Sequence, residues 1–114
     1  MLKILIGFEA VLFASASLVH AGIAFSGFAH RQASIAEGVI AVVLVLGLAV
    51  IFVWPEGART VALVVQAFAL LGTLVGAFTM WVGVGPQTTP DRIFHVILLL
   101  VLVTGLALTY RTAG

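Results

Sequence analysis

Four long apolar stretches, at about 4–25, 35–54, 59–84 and 93–110, dominate this 114-residue chain and leave few folds open to it. Each supplies close to the roughly 20 apolar residues that a helix needs to cross about 30 Å of hydrocarbon. The connections are short: Ser26 to Ser34, Pro55 to Ala58, and Gly85 to Arg92. Short connections make successive helices antiparallel neighbours. The expected fold is therefore an all-α integral membrane protein, one domain of four transmembrane helices in an up-down-up-down bundle. A transmembrane barrel needs alternating segments of about ten residues, a pattern this sequence lacks. Composition points the same way, with 63% hydrophobic and 8% charged residues, against about a quarter charged in soluble domains. A water-soluble fold of this size cannot hide so much apolar surface, because small domains leave a large share of their area exposed.

The stretches carry terminal signals. Ser34 and Glu37 have capping-box spacing at the start of the second, where the serine accepts from the backbone and the glutamate reaches back. Thr89-Pro90-Asp91 at the start of the fourth fits an N-cap, an early proline and an acid at the positive dipole end. Trp54-Pro55 and Gly85-Pro86 mark the ends of the second and third, since a residue before proline resists the helical region. Lys3 ahead of an apolar run imitates a signal peptide, but Glu9 interrupts that run, so the first span is expected to stay. Trp54, Trp81 and Tyr110 sit near span ends, where amphipathic rings favour the headgroup level. Lys3, Arg59 and Arg111 fall on one side, Arg31 and Arg92 on the other. The basic excess favours cytoplasmic termini, in a cell inner membrane. Val45–Ala49 resembles Val103–Ala107, as a 2+2 repeat or a limited apolar alphabet would produce.

Ionisable residues inside apolar spans are functional candidates by default, because burying them is costly. Glu9 and His20 are separated by eleven positions, about three turns and 16 Å, and so share one stripe. Phe13, Ala16 and Ala24 lie on it too. A stripe of small and polar residues belongs inside a bundle. The pair is too far apart to touch. Depth instead matches Glu9 with Gln66 of the third span, as a structural polar clasp, a proton or cation relay, or a glutamate reaching solvent.

At the opposite end, His20, His95 and His30 gather with Glu37, Asp91, Arg31 and Arg92. Imidazoles ligate haem iron or contact quinones, and arginines meet propionates or headgroups. His20 and His95 are the candidate cofactor-binding residues, with His30 and Arg92 beside them and haem or quinone as the cofactor. A structural reading has His20 and His95 bonding each other or the nearby acids, with His30 in solvent. No close His-x-His or Glu-x-x-His pair fixes a metal geometry, so no metal site is assigned.

The third span shows a broad small or polar face of Gln66, Ala69, Thr73, Gly76, Ala77, Met80 and Gly83. Gly72 and Gly76 form a G-x-x-x-G, which lets helices approach closely within a bundle or between copies. Thr104 and Thr109 can bond back to their own helix. No nucleophile-base-acid series, phosphate-binding glycine loop or His-Glu-x-x-His is present, so the chain is not read as an enzyme. The lack of cysteine excludes disulfides and thiol chemistry. A net charge of +1 with scattered basic residues gives no nucleic-acid surface.

Glu9 and Phe78-Thr79-Met80-Trp81-Val82-Gly83-Val84-Gly85 resemble features of the small multidrug resistance transporters. Those proteins carry a W-x-G-x-G segment in the third of four helices. The resemblance implies a dimeric proton-coupled exporter of cations with Glu9 as its proton site. It covers about ten residues; here the tryptophan segment closes its span at Pro86, and no lysine follows Glu9 in the first span. The leading expectation is a non-enzymatic membrane protein, either an accessory subunit packed against other membrane subunits or a homo-oligomer. Binding of haem or quinone and proton-coupled transport are the two alternatives.

Overall fold

A computed structural model describes residues 1–23 and 27–112. It is all-helical: α1 is Leu2–His20, α2 is Arg31–Val53, α3 is Ala58–Trp81 and α4 is Thr89–Arg111, with a single 3-10 turn at Pro55–Gly57 before α3. All four helices are long and apolar enough to cross a membrane. The longest dimension is 43 Å, comparable to a bilayer of about 40–45 Å with its headgroups. Helix α1 packs along α2, α2 along α3 and α3 along α4, while α1 has lighter contacts with α3 and α4.

The core follows one stripe of each helix. Ile6, Ala10 and Phe13 of α1 meet Ile40, Leu44 and Ile51 of α2, Ala62, Val65 and Ala69 of α3, and Leu98 and Leu102 of α4. Were the bundle in a bilayer, such contacts would stabilise through close packing and hydrogen bonding, because lipid tails are as apolar as this core. Glycines set the spacing. A Cβ on Gly47 would stand 2.7 Å from the Val65 side chain, and one on Gly72 2.9 Å from Ile40. Gly72 thus serves packing between α2 and α3. Two serines join α1 to α2 reciprocally, Ser17 Oγ donating to the Ser34 carbonyl at 2.8 Å and Ser34 Oγ to the Ser17 carbonyl at 2.9 Å.

Several boundaries differ from the sequence expectation, each for a local reason. Helix α1 ends at His20 rather than near Phe25. Gly22 takes φ +79° there, and the Gly22 and Ile23 amides bond back to the Val19 and Leu18 carbonyls, a Schellman closure. Ala24 and Phe25, which the first span was expected to include, lie outside the described residues. Helix α3 ends the same way at Trp81, with Gly83 at φ +86° and the Gly83 and Val84 amides bonded to the Met80 and Thr79 carbonyls. Gly83, not Gly85-Pro86, stops it.

Helix α2 starts four residues early. His30 caps it, its Nδ1 accepting from the Ala33 amide at 3.1 Å. Ser34 and Glu37 are therefore inside the helix, free of capping duty. Helix α4 is capped by Thr88, one residue before the expected Thr89, because the capping box pairs an N-cap with its third helical residue. Thr88 Oγ accepts from the Asp91 amide at 3.2 Å, and the Thr88 amide donates to Asp91 Oδ2 at 3.2 Å.

Candidate functional site

Two buried polar clusters lie at different depths. In the first, Glu9 and Gln66 are both fully buried, and Gln66 Nε2 donates to Glu9 Oε1 at 3.0 Å. Gly105 of α4 admits the pair: a Cβ there would collide with the Glu9 carboxylate and stand 2.8 Å from Gln66 Nε2. The clasp therefore joins α1 to α3 and rests on α4. Glu9 Oε2, Gln66 Oε1 and the Thr109 hydroxyl are buried without a hydrogen-bond partner. Thr109 thus departs from the expected bond to its own helix, whereas Thr73 makes one to the Ala69 carbonyl at 2.8 Å.

The second cluster is built on His20 at the end of α1. Its Nδ1 hydrogen-bonds Glu37 Oε1 of α2, and its Nε2 lies 3.1 Å from Asp91 Oδ1 of α4. All three residues are buried. Ionised carboxylates only accept hydrogen bonds, so His20 serves both as an imidazolium; with a neutral ring, one carboxyl must hold the proton. Either way, one imidazole ties three helices together. Both its nitrogens are occupied, which leaves no lone pair for a metal or haem iron. His20 bonds the two acids, not His95.

His95 stands one turn beyond Asp91 on α4. Its Nε2 lies over Gly76, 3.0 Å from where a Cβ would be, so Gly76 of the G-x-x-x-G also faces inward, toward α4. Its Nδ1 is buried, with the Asp91 backbone one turn back as its neighbour within the helix. Glu37 Oε2 is buried and unpartnered. Both residues line a cavity of about 220 Å³ between α2, α3 and α4, otherwise walled mainly by Phe13, Ile40, Thr73, Met80 and Leu98. His30 also reaches its wall, while capping α2 rather than standing free in solvent. Arg92 lies outside, its Nη2 donating to Gln87 Oε1 at 3.3 Å.

The arrangement offers a largely apolar chamber whose lining includes the Glu37 carboxyl and the His95 imidazole. At about 220 Å³ it lies below the roughly 300–1,000 Å³ of drug-sized pockets, so it suits one substituted ring rather than a porphyrin. Among the described residues, no three His, Asp or Glu side chains are placed to hold a metal ion. Bonding of His20 to nearby acids was one reading of the sequence, and the structure has it with Glu37 and Asp91, although both also carried helix-capping spacings. The available signal was their position: His20 and Glu37 flank one interhelical connection, and Asp91 opens another.

The fold and site define an all-helical protein with four helices long and apolar enough to cross a membrane, an ionisable cluster and a small chamber at one end. Comparison with protein families, curated proteins and solved structures finds no match to the chain.

Proposed function

We propose that this is a non-enzymatic integral membrane protein that binds a small lipophilic ring compound, of quinone type, in the chamber beside Glu37 and His95. The reading includes an up-down-up-down bundle in a cell inner membrane with both termini cytoplasmic. The observation that carries it is a partly open cavity at this end whose lining includes the Glu37 carboxyl, with Oε2 unpartnered, and the His95 imidazole. Buried polar groups are nearly always satisfied, so a guest with a carbonyl or hydroxyl completes the site. The occupancy of both His20 nitrogens favours quinone over haem.

A role as accessory subunit rests on the apolar side chains exposed on all four helices, such as Phe8, Phe52, Phe78 and Val103, which lipid alone also satisfies. Self-association loses the G-x-x-x-G as its support, because Gly72 and Gly76 are used within the bundle. Proton-coupled transport through Glu9 loses support for a similar reason: the carboxyl is enclosed by Gln66 and Gly105.

Organic extraction and mass spectrometry of the gently purified protein test the binding reading. A stoichiometric lipophile is expected, lost in Glu37→Gln and His95→Ala proteins that still fold. Ligand-free protein that also fails to bind a short-chain benzoquinone would overturn it.

A further inference from the structure

Met80 and His95 line not only the chamber but also a groove of about 390 Å³ on the outside of the bundle, whose remaining walls are Ala77, Trp81, Val96 and Leu99 with Arg92 at one side. Met80 and His95 are the residues that the two linings share. Methionine is unbranched and flexible, and fills or vacates irregular gaps readily. Gly76 keeps the α3 side of the partition free of a side chain, and His95 lies against it. Val96 and Trp81 are exposed, Trp81 at 90%, so the groove faces whatever surrounds the bundle. In a bilayer that is lipid.

We infer that the ligand is an amphiphile whose ring occupies the chamber and whose hydrocarbon tail leaves between α3 and α4, past Met80 and His95, to lie in the groove of Ala77, Trp81 and Val96. This rests on the proposed binding function and adds the chemical class of the ligand and its route. The chamber holds the ring and no more; the groove beside it is lined mainly by apolar side chains, and a tail is the part of such a ligand that needs neither water nor hydrogen bonds. The ring then meets Glu37 and His95 from the bilayer side, without crossing the polar loops around His30.

The test uses the full chain in nanodiscs with Trp54→Phe, so that Trp81 is the remaining tryptophan of the two. Two probes are titrated: a benzoquinone bearing a decyl tail and the same ring without it. Tailed quinone is expected to quench Trp81 saturably at one per chain, whereas random collision in lipid gives unsaturable quenching. Ala77→Phe, or Val96→Phe on the opposite wall, is expected to weaken the tailed probe roughly tenfold by filling the groove. Both variants should leave tail-less binding, read by displacement, unchanged. Binding of both probes with no selective effect of either groove variant overturns the tail route and leaves the chamber reading standing. Binding of neither probe to the parent protein overturns both.

Discussion

The two polar clusters are alike in chemistry and opposite in packing. Each has a buried carboxylate, an inter-helix hydrogen bond and polar atoms left without partners. At Glu9, glycine is used to close space: Gly105 lets α4 press onto the carboxyl and its amide partner. At Glu37, Ile40 packs against Gly72 and His95 against Gly76, yet volume remains beside both glycines, which line the chamber. The same residue type thus admits a close neighbour at both sites, and the difference is the volume left beside it at the Glu37 end. A buried acid alone does not mark the working site; the acid with adjoining volume does.

Removing the centre of the open cluster should have the largest effect. His20→Ala leaves Glu37 and Asp91 facing each other across a buried gap, and breaking a buried ion pair this way costs about 3–5 kcal/mol. Chemical unfolding in detergent should show it; a loss below about 1 kcal/mol would mean that the triad does not hold the three helices. Next comes the seal. Gly105→Ala pushes a methyl into Glu9 and Gln66, and overpacking of this kind costs about 1–3 kcal/mol. The same unfolding assay reads it, and ligand binding at the far end should be untouched.

Gly76→Ala sharpens the contrast from the other side. The new methyl meets the flexible far end of His95 at 3.0 Å, so stability should change by no more than about 1 kcal/mol while quinone binding falls. Equal losses at Gly76 and Gly105 would erase the distinction between the ends. The smallest effect is expected for Glu9→Gln, which keeps the shape and a hydrogen bond to Gln66 while removing the ionisable group. Its unfolding free energy should lie within about 1 kcal/mol of the parent, with binding unaltered. A marked loss of binding would make the sealed cluster part of the working site after all.

Much of the frame was readable from periodicity and length, because a run of about twenty apolar residues has few alternatives to a spanning-length helix. Glu9 and Gln66 were readable as companions because equal depth on helices of one bundle leaves a buried polar group few partners. His20 was harder. Glu37 and Asp91 each had a local use at a helix start, and for Asp91 that use is real: it completes the Thr88 capping box and still bonds His20. Glu37 is released only because His30, read as a solvated loop residue, caps α2 in its place. The chamber had no sequence signature, since an unfilled volume depends on how four helices settle together rather than on any one of them.

The clasp between Glu9 and Gln66 also orders the making of the protein. Gln66 follows Glu9 by 57 residues, which at ribosomal speeds of about 5–20 residues per second is a delay of roughly 3–11 s. Asp91 follows His20 by 71 residues. In a chain that inserts as it is synthesised, Glu9 therefore waits unmatched until the third helix emerges, while His20 gains Glu37 with the second helix and its other acid only with the fourth. Its retention beside the translocation machinery, measured as a crosslink that disappears once α4 is released, would be the cellular trace of a carboxyl awaiting its amide.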